Sequence, residues 1–399
     1  MGFSLSWIDH DEAARERSLR ILALFQERES RDELGLGGVR DSFSDRLFPG
    51  TSTIQTRLRY MLFVPWMYQQ LESKRVSSAE ITLKARKEEV RLIQPLLDSE
   101  NERGGVFGRM AGGGLKRLPS SIYWNGLGSW GVRLFQGFQD HYHRSLDAIY
   151  QRRDLLKVKD PGDDDGVPLV ATWSPKIPTP PAGFPEKVDF MIRREEAEFL
   201  LDRIKTSHPE SLLAFLALHG EPAGVSAPWA HPQFAEMPAP LRELIDHARR
   251  FSVLMHGAAI LYNVALSDLA GSEERQVEHR ERLSEWAADL DLEEFRAWTM
   301  TRLWELAASP AHTITRSTVT FVEAWRERVL QDASGLAEDA MARALVEARE
   351  RRLKGPRSRF ANSRVRDQWS GQAGVGQLKY RWGTVQTLLA DLYAGLGRE

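Results

Sequence analysis

The chain of 399 residues contains no cysteine. This absence excludes disulfide bonds, thiolate metal sites and a cysteine nucleophile, and it fits a reducing compartment. The first residues run from Met1 into an acidic group at residues 9–12 without the basic flank and apolar core of a signal peptide. Together these features predict a cytoplasmic protein.

Long apolar runs are also missing. The longest weakly polar stretch, residues 251–266, is interrupted by Ser252, His256 and Asn263. A helix that spans a bilayer needs about 20 predominantly apolar residues, so we expect no membrane segment.

Strand patterns are scarce, whereas apolar residues recur at helical spacing through most of the chain. The clearest alternation, at residues 188–192, predicts one strand of a small sheet at most. The sequence therefore predicts a mainly α-helical protein. We expect two helical halves joined by a proline-rich extended connector, with at most a small β element.

Composition divides the chain into four predicted segments. Seven prolines between Pro161 and Pro185 exclude a helix or a central strand there. Residues 241–269 become apolar on nearly all sides, which predicts a central buried helix. The four segments are an N-terminal helical domain (1–158), the proline-rich connector (159–187), an acidic helical domain that contains the buried helix (188–350), and a basic, aromatic-rich C-terminal segment with a final helix (351–399).

The net charge of −2 conceals an uneven distribution. Residues 159–350 carry a net charge of −13, whereas residues 351–399 carry +7. Such asymmetry indicates either a polyanionic partner for the C-terminal segment or docking of one part of the chain on another.

No catalytic or cofactor motif is complete. The GxGxxG match at residues 126–131 does not follow a buried strand, so a dinucleotide site is not predicted. The glycine-rich loop at residues 104–114 lacks the Gly-Lys-Ser/Thr of a Walker A motif, which leaves a mobile loop or a backbone phosphate contact. The histidines follow no metal-ligand spacing. We expect no cofactor and no metal, and the sequence favours a non-enzyme.

Residues 48–68, FPGTSTIQTRLRYMLFVPWMY, set two arginines against an apolar run. The pattern predicts a helix from about Ile54 that kinks or ends at Pro65. A guanidinium in apolar surroundings needs a carboxylate or carbonyl partner. Arg57 and Arg59 are therefore either buried in structural pairs or part of a ligand or nucleic-acid site.

Two nearby carboxylates, Asp41 and Asp45, are the candidate partners for such pairs. The alternative reading makes the two arginines part of a possible second basic site together with the flanks of the glycine-rich loop. That second set comprises Arg57, Arg59, Arg109, Lys116 and Arg117.

Residues 351–382 hold nine basic groups and one acidic group, with four aromatic residues interleaved. Basic groups neutralise phosphates and aromatic faces stack on bases, which predicts a nucleic-acid-binding segment. The alternative is that the arginines dock on the acidic part of the chain while the aromatic rings are core. The candidate nucleic-acid-binding residues are Arg351, Arg352, Lys354, Arg357, Arg359, Arg364, Arg366, Trp369, Lys379 and Arg381.

Several distinctive stretches resemble a known protein family. They are residues 48–57 with Arg59 and Tyr60, residues 123–127 with Trp130 and Gly131, residues 251–263, and Tyr380-Arg381-Trp382. The family is an uncharacterised bacterial one, a domain of unknown function, encoded beside helicase and phospholipase-D-like genes in antiphage defence clusters.

The resemblance implies an accessory subunit of a multi-gene defence system, with DNA or RNA and a helicase or phospholipase-D-like protein as partners. It transfers no catalytic residue. Two other functions stay open: an enzyme, such as a nuclease or another hydrolase, whose site is not visible in the sequence, and a pure protein–protein scaffold.

Overall fold

The computed structural model describes residues 32–99, 104–158 and 171–398. Within these ranges the protein is mostly helical and contains no strand, only isolated bridges such as the one between Arg133 and Trp173. The predicted mainly α-helical fold is confirmed. The N-terminal part of the connector, residues 159–170, lies outside the described residues.

Sixteen α-helices occur among the described residues. In chain order they are α1 (Gly37–Leu47), α2 (Tyr60–Ser73), α3 (Ile81–Arg91), α4 (Ile93–Ser99), α5 (Pro119–Ser129), α6 (Gln139–Val158), α7 (Arg194–Ser207), α8 (Leu212–His219), α9 (Ala239–Ala270), α10 (Glu273–Ala288), α11 (Leu292–Ala297), α12 (Met300–Ala307), α13 (Arg316–Gln331), α14 (Ala340–Lys354), α15 (Ser363–Arg366) and α16 (Trp382–Leu396). Short 3₁₀ helices lie at Gly112–Gly114, Pro228–Ala230, Pro232–Glu236 and Gly355–Arg357.

The chain divides into two compact units. Among the described residues, the first unit contains 32–43 and 246–378, and the second contains 44–245 and 379–398. These units cut across the four segments predicted from composition. The basic C-terminal segment is divided after Leu378, and the described part of the connector has residues of the second unit on both sides.

The described part of the connector packs onto the helices of the second unit. Trp173 is buried against Tyr68, and Phe184 packs against Trp66. The Trp66 indole also donates a hydrogen bond of 2.6 Å to the Pro178 carbonyl. Around Trp173 the connector pairs its backbone with residues 132–135, and the prolines that follow contribute carbonyls and rings to the packing.

Helix α2 is the centre of the second unit. Every residue from Tyr60 to Tyr68 is buried, in agreement with the apolar residues that surround its helical wheel. The helix passes through Pro65, so of the two predicted effects of this proline, a kink or an end, the end is wrong. Proline removes one backbone hydrogen bond, and burial on all sides of the helix outweighs that loss.

The start of α2 also differs from the prediction. The helix begins at Tyr60 rather than near Ile54. The Tyr123 hydroxyl lies 2.9 and 3.1 Å from the backbone nitrogens of Thr56 and Arg57, and the Leu58 N–H donates to an Asp391 carboxylate oxygen at 2.8 Å. Because these partners satisfy the backbone outside a helix, the chain stays irregular up to Arg59.

The glycines at residues 126–131 serve close packing. Gly126 lies inside α5, and a Cβ atom placed on it would come within 2.3 Å of the Gly50 carbonyl oxygen. A helix and a loop touch here through their backbones, which only glycine allows. The absence of a preceding strand in the described residues agrees with the sequence argument against a dinucleotide site.

Residues 188–192 do not form the predicted strand. Val188, Phe190 and Ile192 are buried, whereas Asp189 and Met191 are at least partly exposed. The alternation is therefore real. Val188, Phe190 and Ile192 enter a core made of helices, and this segment pairs with no other strand among the described residues. The strand prediction is therefore wrong.

Helix α9 confirms the predicted buried helix at residues 241–269. It is 32 residues long, so it is longer than the apolar stretch at residues 251–266. By length and composition it is the one described helix that could cross a membrane, but 67% of its most apolar window is buried in the protein. A core helix passes the same test, so this is weak evidence for a membrane.

Both arginines of the 48–68 stretch are paired with carboxylates, as the hypothesis of structural ion pairs predicts. The Arg59 guanidinium is buried, contacts both oxygens of the buried Glu196 carboxylate at 2.7 and 2.9 Å, and reaches Asp189 at 2.5 Å. Arg57 lies 3.0 Å from Asp391, with its guanidinium over the Phe190 ring.

The predicted partners Asp41 and Asp45 are wrong. Asp41 pairs with Arg40, and Asp45 pairs with Arg381. The carboxylates that do pair with Arg57 and Arg59 lie 130 or more residues away along the chain. Nothing in the local sequence identifies them.

A second buried carboxylate caps helix α5. Glu89 accepts hydrogen bonds of 2.7 Å from both the backbone N–H and the hydroxyl of Ser120. The Gln139 amide links the Ser120 hydroxyl to Tyr68, which lies 2.8 Å from His143. Burial raises the pKa of Glu89 from 4.5 to about 7, although the Ser120 hydrogen bonds oppose the shift.

Replacing Arg59 should be the most destabilising single change in this network. Arg59→Ala leaves Glu196 buried without its counter-charge, and we expect a loss of roughly 3–5 kcal/mol in the free energy of unfolding. Arg57→Ala should cost less because the Arg57 side chain is 23% exposed. Chemical denaturation measures both.

The matched control is Arg144→Ala, whose pair with Asp140 is exposed and should contribute less than about 0.5 kcal/mol. An Arg59→Ala protein as stable as the control would show that the buried pair does not support the fold.

The raised pKa of Glu89 predicts a pH-dependent stability. Between about pH 4.5 and 7 the folded protein holds a proton that the unfolded chain releases, so the Glu89 contribution falls as pH rises through this window. Glu89→Gln should remove about 3 kcal/mol of that pH dependence. Denaturation at pH 5 and pH 8 measures it, with the exposed Glu80→Gln as control. Equal slopes for the wild type and Glu89→Gln would refute the prediction.

Candidate nucleic-acid interface

Helix α14 separates buried from exposed side chains near its C-terminal end. The Asp339 carboxylate caps its first turn, and Val346, Arg349 and Glu350 face the core. Arg351 and Arg352 follow directly and are exposed, because each residue advances the helix by about 100°. Both therefore point to solvent.

The chain then turns at Gly355, which has a positive φ of 53°. Ser358 and Phe360 are buried, whereas Arg357 and Arg364 are exposed. Burial thus alternates with exposure along this irregular stretch, and the arginines project outward between buried anchors.

We define the arginine segment as the four exposed arginines Arg351, Arg352, Arg357 and Arg364. Arg351 pairs with Glu347 at 2.7 Å. The other three have no carboxylate or hydrogen-bond partner among the residues that the structure describes. They are free to neutralise phosphates.

Two other predicted nucleic-acid-binding residues are used inside the first unit. The Lys354 ammonium contacts the buried Glu33 carboxylate and lies 3.5 Å from Glu350. Arg359 reaches Glu33 at 2.8 Å and donates to the Tyr262 hydroxyl at 2.9 Å. Burial raises the pKa of Tyr262 to about 12, with Arg359 opposing the shift. Lys354 and Arg359 therefore neutralise internal acids.

Arg366 is intermediate. Its side chain is half-buried and donates a hydrogen bond of 3.0 Å to the Arg359 carbonyl. It supports the turn that presents the arginine segment.

The aromatic residues of the C-terminal segment belong to the core. Trp369 is buried, and its indole N–H donates to the Asn263 side-chain oxygen at 3.0 Å. Phe360, Tyr380 and Trp382 are also buried. The predicted stacking of Trp369 on bases is therefore not available, because a base cannot reach a ring that is covered by protein.

The last two predicted residues lie in the second unit. Lys379 is exposed, whereas the Arg381 guanidinium binds Asp45 at 2.6 Å and the Thr51 carbonyl at 2.8 Å. Tyr380 and Arg381 both have a positive φ, a strained conformation for non-glycine residues, and the Arg381 contacts help to hold it.

The possible second basic site does not form one available surface. Arg57 and Arg59 are used in internal pairs. Arg109 is half-buried and has its own interaction, whereas Lys116 and Arg117 are exposed. Only the latter two could meet a ligand freely.

No group of three or more histidine, aspartate or glutamate side chains with metal-binding geometry occurs among the described residues. His141 is exposed, and His143 is buried between Tyr68 and Thr82. The two histidine side chains lie on different faces of the helix, because they are two residues apart.

The second unit also contains a cleft that the sequence did not reveal. Its volume is about 930 Å³, and it is lined by Arg59 and by side chains from residues 91–99 and 181–193. These stretches are far apart along the chain, so only the tertiary structure brings them together. One of these stretches contains the alternation at residues 188–192, from which a strand is predicted that the described residues do not contain.

This is therefore a mainly α-helical protein. Its exposed arginine segment is a candidate surface for a polyanion. The chain belongs to the family of unknown function DUF6361, whose family model matches residues 1–395. No curated protein and no solved structure matches it. The match confirms the resemblance at the level of an uncharacterised family, and the gene neighbourhood stays a prediction.

The two kinds of arginine predict different effects on stability. Arg359→Ala removes one of the two cations at the buried Glu33 carboxylate, where Lys354 remains, and takes away the donor to the Tyr262 hydroxyl, so it should lower the free energy of unfolding by about 2 kcal/mol. The triple variant Arg352→Ala, Arg357→Ala, Arg364→Ala should melt like the wild type, because surface side chains contribute little. Melting curves compare them. A triple variant that is as unstable as Arg359→Ala would mean that these arginines also serve the fold.

Proposed function

We propose that this protein is a non-enzymatic subunit of a bacterial antiphage defence assembly that contacts nucleic acid through the arginine segment and also binds a partner protein. The observation that carries the nucleic-acid contact is the exposure of Arg352, Arg357 and Arg364 without carboxylate partners among the described residues. An arginine without an internal partner keeps its charge available for a phosphate.

The mode of binding follows from what surrounds these arginines. Their aromatic neighbours Phe360 and Trp369 are buried, so base stacking is not part of the contact. Phosphate contacts position a protein on nucleic acid but carry no direct sequence information. We therefore propose electrostatic binding with little base specificity, to DNA or RNA.

The defence role is supported by the family resemblance. That resemblance implies genes beside helicase and phospholipase-D-like genes, and an accessory subunit is the role that such a neighbourhood suggests. A chain that contacts phosphates and also binds a partner protein would hold that partner near nucleic acid.

The proposal predicts a steep salt dependence of binding. If three or four arginines touch phosphates, log K should fall against log salt with a slope of about −3 to −3.5 for duplex DNA and about −2 to −3 for single strands. The triple variant Arg352→Ala, Arg357→Ala, Arg364→Ala should flatten the slope and weaken all sequences alike. Fluorescence anisotropy with labelled single- and double-stranded DNA and RNA measures this.

The control is a triple variant of equal charge change, Arg144→Ala, Arg194→Ala, Arg296→Ala, whose arginines are exposed but paired with carboxylates. It should bind like the wild type. In cells that carry the native operon, the first triple variant should lower protection against phage and the control should not. A folded wild type that fails to bind at low salt would leave the scaffold function in first place.

A further inference from the structure

Residues 369–378 of the first unit, which we call the strap, form neither a helix nor a strand. From residue 370 to residue 378 the strap makes no hydrogen bond to another backbone group in the part of the chain that the structure describes. Backbone groups that leave water need other partners. Side chains of the helices beneath the strap supply them.

Uncharged side chains of α9 bind the strap at two points. The Ser252 hydroxyl donates a hydrogen bond of 2.7 Å to the Leu378 carbonyl. The Asn263 side chain binds both backbone groups of Ala373, accepting from its N–H at 3.0 Å and donating to its carbonyl at 2.8 Å. These two residues interrupt the apolar sequence of α9, and neither of them titrates.

Two histidines hold the strap at other points. His279 of α10 is fully buried, and its Nε2 lies 2.7 Å from the Gly371 carbonyl oxygen. A carbonyl oxygen only accepts, so Nε2 carries the hydrogen. His256 of α9 is half-buried and is hydrogen-bonded to the backbone of Val375. Two anchors of the strap are therefore groups that gain a proton near neutral pH.

A second proton on the His279 ring has no partner while the strap is closed. It would bind to Nδ1, which is buried and has no hydrogen-bond partner among the described residues. A buried charge without a partner is strongly unfavourable. Burial lowers the pKa of both His256 and His279 below the ordinary value of 6.5, although their hydrogen bonds to the strap backbone oppose the shift.

The charged groups near the two histidines do not offset this cost. Arg275 and Arg282 of α10 disfavour a positive charge on His279, and Arg282 also disfavours one on His256. Glu278 acts in the opposite direction but pairs with Arg282 at 3.6 Å. The strap has no charged residue, and neither has α9 between residues 251 and 267.

We propose that the strap is a pH-sensitive cover over α9, which opens when His256 and His279 take up protons. An imidazolium needs water, and displacing the strap breaks no backbone–backbone hydrogen bond of residues 370–378, whereas displacing a helix breaks many. The open form binds more protons below about pH 6.5, so the strap stays closed above this pH and opens as the pH falls. Opening exposes the polar side chains of α9 and the Trp369 indole.

The absence of cysteine makes a single introduced thiol a specific reporter of the strap. Val375→Cys places the thiol at a buried position of the strap, and Ser370→Cys places it at an exposed one. Both react with 4,4′-dithiodipyridine, and the ratio of the two rates cancels the intrinsic pH dependence of a thiol. From pH 7.5 to pH 5.5 the rate for Val375→Cys relative to Ser370→Cys should rise at least about threefold, since each proton taken up on opening contributes at most about tenfold per pH unit.

Four further substitutions, each made in both reporter proteins, assign the response. His279→Gln keeps an N–H donor but does not titrate, so it should remove most of the rise, and adding His256→Gln should remove the rest. Arg275→Met removes a positive charge and keeps a side chain over Trp369, so the closed form tolerates a proton better and the rise should be smaller. The control His141→Gln replaces an exposed histidine of the second unit and should keep the full rise.

A ratio that stays constant in the wild type between the two pH values would overturn the inference. A full rise in the double histidine variant would do the same. If His279→Gln does not fold, an unchanged rise in both Arg275→Met and the single variant His256→Gln refutes it instead.

Circular dichroism at pH 5.5 separates strap opening from unfolding. The helices should stay intact, and a loss of helix that accompanies the rise would show that no separate strap movement exists. Glu89 does not produce the expected response, because its contribution to stability falls as the pH rises and therefore has the opposite sign.

Discussion

The buried guanidinium of Arg59 is the interaction on which the second unit depends. It joins the end of an irregular loop to Asp189 and to Glu196 of α7. A charge removed from water is tolerated only when paired and hydrogen-bonded, so these segments must come together for the chain to fold. The same contact holds one side of the cleft in place, because Asp189 is part of its lining.

Basic side chains in this protein fall into two populations that a count of charges does not distinguish. Lys354, Arg359 and Arg381 neutralise acids within their own units. Arg352 and Arg357, from the same stretch of sequence, stay exposed. The positive charge of the C-terminal segment is thus only partly available to a polyanion, and the available part lies where helix α14 ends.

Helical periodicity and composition predicted the fold class, and α9 lies close to its predicted range. The sequence also predicts that Arg57 and Arg59 need carboxylate partners, because an unpaired charge in apolar surroundings is strongly destabilising. Their partners were not, because contacts across 130 or more residues leave no local pattern. The predicted start of α2 near Ile54 failed for a related reason, since Tyr123 and Asp391 satisfy the backbone from far along the chain.

The sequence by itself determined that the chain is helical, that α2 and α9 are buried, and that its arginines must find partners or face solvent. These properties are local, since they depend on side-chain spacing and on the cost of desolvating charge. Only the tertiary structure decided which arginines are exposed, that Trp369 belongs to the core rather than to a binding face, and that residues 187–193 wall a cleft. Each of these depends on neighbours distant in sequence. Whether such neighbours cover a basic or aromatic side chain decides whether it belongs to the core or to a surface.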